Sequence, residues 1–319
     1  MLFVHKDSHR FPFFPSSPPK SPPASVARRF EDALTARLAE LLPLLESSPS
    51  LAFSWLASAV HLLALTLSDA ADLLSDISAS ERDTVAAYLD SGVALLDACN
   101  AASAEVDRIL RRRLHLRFSL HLLSSSDDGR DTEKLKRALD SVAEWRASPC
   151  RAIKSSAVDL VRSLSPAALP RGKISAARRT IYAVEAVSFL VTGAVVAVLG
   201  GGGLAVPSVP RDLPWAEEYQ KLATAVSRKL AGDGLAPELK ATEAAVKKLT
   251  GVVDEIQANG DGQKSMSLRK AVDITEKATD KLTEGLDALS SAVNEVFHSA
   301  LRLRSTALQG FRVGSQRCK

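Results

Sequence analysis

The sequence predicts an all-α protein, an elongated bundle of long antiparallel helices with a C-terminal helical hairpin. Three observations carry this. Apolar residues recur at alternating spacings of three and four over much of the chain. Hydrophobic residues make up 46% of its 319 positions but aromatic residues only 5%, and a core rich in Leu, Ala and Val suits helices better than sheets. Apolar and polar residues rarely alternate in the manner of a strand.

Residues 1–25 form a Pro/Ser-rich arm that includes Phe11-Pro12-Phe13-Phe14-Pro15. Its prolines break helices and bury nothing, so disorder is expected. Residues 26–165 read as the N-terminal helical bundle segments. Val26, Phe30, Leu34, Leu38, Leu41 and Leu45 share one helix face, and Ser48-Pro49 ends that element. Phe53, Leu56, Val60, Leu63, Leu67, Ala70, Leu74 and Ile77 then alternate three and four, the seam of a helix packed lengthwise on another. A third helix is expected from a cap at Ser80, with Asp83 three residues on. It carries Val85, Leu89, Leu96, Cys99, Val106 and Leu110 toward Leu123. A polar loop at 124–129 precedes a helix from Thr132 through Leu135, Leu139, Val142 and Trp145, and another covers about Arg151 to Leu164.

Residues 166–180 read as a basic linker holding Arg171, Lys173, Arg178 and Arg179. The apolar segment 181–206 follows, with Ile181, Phe189, Leu190, Val195 and Leu199 as its large side chains and no charge from Ala186 to Val206. Two readings are open. The segment is a membrane-inserted helix, single-pass or hairpin, with the basic residues on the cytosolic side; or it is a central helix surrounded by the bundle. Gly200 to Gly203 unwinds its far end. That run has no following Lys-Ser/Thr and no preceding strand, which argues against a phosphate loop.

The C-terminal part, residues 215–305, has the most regular pattern. Leu239, Thr242, Val246, Leu249, Val253 and Ile256 form one seam. Asn259-Gly260-Asp261-Gly262 signals a turn. Leu268, Val272, Thr275, Thr279, Leu282, Leu286, Leu289, Val293, Val296, Ala300 and Leu303 form the second seam without a slip. Two such runs joined by a short polar loop make an antiparallel hairpin packed on the bundle. Residues 306–319 form a basic tail. The seams can close within one chain or between two, so oligomerisation stays open.

Charge is unevenly placed. Residues 31–100 hold two basic and eleven acidic side chains, and residues 101–180 hold seventeen basic and nine acidic. Pairing between the two blocks competes with a basic face for anionic lipid or an acidic partner. Arg108, Arg111, Arg112 and Arg113 are the densest basic cluster; with Arg178 and Arg179 they form the candidate contact surface. Three consecutive arginines fan around a helix, and without interleaved aromatics they do not suit nucleic acid. The three cysteines, Cys99, Cys150 and Cys318, are far apart, which disfavours a disulfide framework and points to an intracellular setting, cytoplasmic or membrane-associated. The arm lacks the Arg/Ser-rich amphipathic helix of many transit peptides, which argues against plastid import. No histidine pair has metal-ligand spacing, no nucleophile elbow occurs and no Gly-rich phosphate motif is complete. An enzyme is therefore not expected, and neither is a cofactor.

Phe53-Ser54-Trp55-Leu56, Tyr88-Leu89-Asp90, Leu95-Leu96-Asp97, Cys99-Asn100, Gly172-Lys173, Ile181-Tyr182-Ala183 and Leu213-Pro214-Trp215 follow in order along nearly the whole chain. Their succession resembles the plant BYPASS family, the developmental regulators related to the ROH proteins. Phe53 and Leu56 are seam positions, Tyr88, Leu89, Leu96 and Cys99 fit a buried helix face, and Trp55 is expected to close one bundle end. The resemblance implies a non-enzymatic helical protein that restrains a root-derived mobile signal affecting shoot growth. The ROH relatives imply instead a membrane-associated adaptor in secretion, in contact with exocyst-type tethering subunits. A carrier or enzyme for a small apolar signal is the third alternative. Protein partners are expected in the first two.

Overall fold

The computed structural model describes residues 24–75, 82–125, 132–149, 153, 155–169, 174–232, 234–259 and 265–316. Among the described residues there are nine α-helices and no strand: α1 Ala24–Glu46, α2 Phe53–Leu74, α3 Arg82–Ser124, α4 Thr132–Ala147, α5 Ser155–Ser163, α6 Ala176–Gly200, α7 Ala216–Leu230, α8 Pro237–Asn259 and α9 Ser265–Gln316. The arm through residue 23, the expected cap Ser80, the loop from residue 126 and the turn at 260–262 lie outside the described residues.

Two long helices set the long dimension. α3 has 43 residues and α9 has 52, so they extend about 65 and 78 Å at about 1.5 Å per residue. Every seam position of α9 from Leu268 to Leu303 is buried, as is every seam position of α2 from Phe53 to Leu74. On α1, Phe30, Leu34, Leu38, Leu41 and Leu45 are buried, but Val26 stays exposed. The helical end of the chain runs further than the seam, with α9 continuing to Gln316.

The helices are not all antiparallel. α8 against α9, and α3 against α4, run in opposite directions. α2 and α9 run in the same direction, because Phe53 meets Gly285, His61 meets Glu295 and Asp72 meets Arg302. Seams show that two helices meet lengthwise; they do not encode direction between residues more than 200 positions apart.

The main core joins α1, α2, the first half of α3, α6, α7 and the second half of α9. A smaller one lies toward the far end, where Leu120, Leu135, Leu249, Val253, Leu268 and Val272 bring α3, α4, α8 and α9 together. Thr275 and Thr279 lie on α9 between the two regions. Both are buried, and each hydroxyl donates to the carbonyl four residues earlier, at 2.8 and 2.7 Å. Back-bonding satisfies the hydroxyl inside a helix, which is how two threonines fit an apolar seam.

Helix ends are satisfied by tertiary partners where local caps are missing. α2 has Ala52 at its N-cap and no side-chain cap. Glu238 of α8 fills that role, accepting from the Phe53 N–H at 3.0 Å. The first N–H groups of a helix lack intrahelical acceptors and attract negative charge. The Trp55 indole donates to Leu41 O of α1 at 3.1 Å, so it ties α2 to α1 near their shared end.

Candidate binding surfaces and a buried polar site

The apolar segment forms α6, which is covered on every side. Every residue from Thr180 to Leu199 is buried, including Ile181, Phe189, Leu190, Val195 and Leu199. α2 and α6 are each long and apolar enough to cross a membrane, but here the surroundings of α6 are α1, α2, α3, α5 and α7. The glycines end it. Gly201 has φ 81° and its N–H returns to Ala197 O, the left-handed conformation that favours glycine at a helix C-terminus.

One face of α6 is polar. Glu185 is buried, accepts weakly from Ser91 Oγ at 3.4 Å and has a second carboxylate oxygen without a partner. Ser188 Oγ, Tyr88 Oη and Trp215 Nε1 are likewise buried without partners. Burial holds the Glu185 carboxyl above the ordinary carboxylate range, against the pull of Arg178, the Ala167 N–H and Ser91. Burial also pushes the Tyr88 hydroxyl up, and the neighbouring Glu185 adds to it while Arg304 opposes. The Tyr182, Trp215 and Tyr219 rings pack against one another beside this face, at centroid separations of 6.2 and 5.6 Å. The Tyr219 hydroxyl donates to Ala186 O at 3.1 Å.

The candidate basic residues are dispersed, not gathered. Arg112 is buried, with its guanidinium 4.0 Å from the Trp145 ring centroid and its Nε donating to Trp145 O at 2.7 Å. Arg108 pairs with Glu105 at 2.6 Å and donates to Pro149 O at 2.7 Å. Together they satisfy carbonyls at the C-terminal end of α4, where orphan acceptors and the helix dipole favour cations. Arg113 donates to Thr283 Oγ1 at 2.6 Å, and Arg179 pairs with Glu31 of α1 at 2.6 Å. Arg178 is half-buried on the first turn of α6. Arg111 alone of the consecutive triplet faces solvent. The acidic and basic blocks do pair, through Glu31 and Arg179.

A groove of about 850 Å³ lies between the end of α1, the segment at 208–211 and α7. Leu42, Val209, Ala216 and Ala225 form its apolar floor; Glu46, Arg211, Glu217, Lys221 and Arg228 form its rim. It lies on the surface and not inside the bundle, and its volume is in the range that holds small ligands. The pattern over 215–305 reads as the hairpin alone, with α7 not distinguished from it. Its signal was present: Glu217 and Glu218 in the first turn, Arg228 and Lys229 in the last, and Tyr219, Leu222, Val226 and Leu230 on one face.

A family model described as Protein ROH1-like matches residues 119–311. Protein BPS1, chloroplastic, of Arabidopsis thaliana is 30% identical over 312 residues, which covers 90% of this chain and 84% of that protein. The chain belongs to the ROH1-like family. The resemblance carried by the motifs is thereby borne out. Two rice proteins, both named UPF0496 protein 4, are 33% identical over 269 residues (subspecies indica) and 32% over 267 residues (japonica). The chain spans 58% of the length of each. No solved structure matches it. The word chloroplastic in the Arabidopsis relative's name lends no support to the expectation against plastid import.

The ROH1-like motif residues are structural in this fold. Phe53, Leu56, Tyr88, Leu95, Ile181 and Trp215 are all buried. Tyr88 and Trp215 belong to the polar and aromatic surroundings of α6, a connection their spacing in the chain does not reveal.

Proposed function

We propose that this ROH1-like protein is a non-enzymatic regulator of plant growth and development that works by binding, and that it restrains a root-derived mobile signal as the BYPASS proteins do. The observation that carries this is the similarity to Protein BPS1 across most of both chains. The burial of the shared motifs supports it, because residues spent on holding helices together leave recognition to the exposed faces and the α1–α7 groove. Grafting tests it. Roots lacking the protein, joined to normal shoots, are expected to slow shoot growth, and restoring the chain in the root is expected to relieve it. Normal shoot growth on deficient roots would overturn the proposal.

A second reading, a membrane-associated adaptor in secretion, is favoured by the length and apolarity of α6 and α2. It requires α6 to leave the bundle that covers it. Alkaline carbonate extraction decides: protein recovered wholly in the soluble fraction removes this reading, and protein retained in the membrane pellet supports it.

A further inference from the structure

We infer that the outer face of α3 between Leu110 and Leu122 is a docking surface for an acidic amphipathic helix of a partner protein; this rests on the reading that the protein works by binding. Leu110, Leu114, Phe118 and Leu122 follow one another at intervals of four. Leu110 and Leu122 are partly buried against the main and distal cores. Leu114 and Phe118 between them are 55% and 46% exposed. The four side chains make an inclined apolar ridge about 18 Å long. Ridges of this spacing pack into the grooves of a second helix crossing obliquely, at about −50°. Among the described side chains of α3, Val93 is the one other exposed large apolar residue.

The charge beside the ridge selects the partner. From Arg108 to Ser124, α3 has five arginines, two histidines and no acid. Arg108, Arg112 and Arg113 point into the fold, as described above. Arg111 and Arg117 are exposed and hold no hydrogen bond or ion pair among the described residues. Flexible cationic groups on both sides of an apolar ridge suit a helix whose own apolar stripe is flanked by Glu or Asp.

Two other occupants fit less well. A second copy docking through the same face would set one arginine-flanked ridge against another, since a two-fold interface uses the same patch on both subunits, and cations would face cations. A flat anionic membrane would meet acids around the ridge: Asp107 on α3 itself, and Glu276 and Asp280 of α9 across the cleft from Arg117 and His121.

The test uses the full chain and a fluorescent 18-residue synthetic helix with leucines every fourth residue and glutamates beside them, read by anisotropy. A second probe replaces each glutamate with lysine. The acidic helix is expected to bind and the basic one not. Leu114→Ser with Phe118→Ser is expected to weaken binding at least about ten-fold, as loss of central apolar anchors does. Arg111→Glu with Arg117→Glu is expected to reverse the preference toward the basic helix. Far-UV circular dichroism checks each variant, and the arginine pair, being fully at the surface, keeps the test alive if the serine pair fails to fold. No binding, equal binding of both probes, or binding untouched by the substitutions overturns the inference. So does sedimentation of the wild type with phosphatidylserine vesicles in the absence of peptide binding, or a dimer that only the serine pair dissolves. Peptide binding is read in solution, so its failure leaves the grafting result standing, and a failed graft leaves the docking surface intact.

Discussion

Replacing Arg112 with alanine removes a cation from the middle of α3 and leaves α4 without the group that closes its end. The magnitude follows from two contacts. The hydrogen bond from Nε to Trp145 O, at 2.7 Å, has a charged donor, and such bonds contribute about 1.5–3 kcal/mol. The guanidinium stacks on the Trp145 ring at 4.0 Å in a buried setting, where such a contact contributes about 2 kcal/mol. The carbonyl of Trp145 loses this donor, and the resulting desolvation cost is part of the first figure and not an addition to it. The expected cost is therefore about 3–5 kcal/mol, a large share of the roughly 5–15 kcal/mol that holds a domain folded. Arg112→Lys keeps the charge but not the planar fork, and should recover less than half of the loss. The assay is urea denaturation followed by circular dichroism, comparing midpoints at unchanged slope. A loss below about 1 kcal/mol for Arg112→Ala, the level of an exposed ion pair, would refute the view that this arginine closes α4.

Glu185→Gln tests the buried polar face of α6. The folded carboxyl binds its proton more tightly than the unfolded one, so its contribution is fully present below the unfolded value of about 4.3 and is lost as pH rises through the folded value. The wild type should therefore lose stability relative to Glu185→Gln as pH rises from the unfolded value through the raised folded one, and parallel urea midpoints across that rise would contradict the assignment. Gly285→Ala places a Cβ 2.9 Å from Phe53 Cβ. In a free helix the change is favourable by about 1 kcal/mol, but here α2 and α9 must part, at a typical cost of about 1–3 kcal/mol. A thermal midpoint above that of the wild type would show the approach to be loose. Burial pushes the Cys99 thiol up to about 12. In a Cys150→Ser, Cys318→Ser background it should resist a disulfide reagent at neutral pH until urea is added; prompt native labelling would place it at the surface.

What the residues disclosed in advance were the lengthwise contacts. The seams of α2, α8 and α9 were legible because spacing of three and four is a property of one helix, independent of its neighbours. Direction was not. Nothing in Phe53 or Gly285 alone shows that α2 and α9 run together. The arginine cluster misleads in a related way, because adjacency in the chain places Arg111, Arg112 and Arg113 about 100° apart around the helix, toward solvent, α4 and α9 in turn. The apolar run was compatible with lipid or core, since both solvents reward the same composition. Only the arrangement of five covering helices distinguishes them. The polar face of α6 was hidden for a different reason: Tyr88, Ser91, Glu185 and Trp215 are spread over more than 120 positions and each looks ordinary where it stands.

The pairing of α2 with α9 also has a consequence for how the chain is made. The helix that covers α2 leaves the ribosome long after it, since their contacts join residues more than 200 positions apart. Until then α2, one of the two most apolar helices, has been synthesised without its cover. Contacts this remote in sequence close slowly, and exposed apolar surface in that interval invites aggregation. The nascent protein thus passes through a period in which one of its most lipid-like segments is open to whatever binds such segments first, and synthesis of α9 ends it.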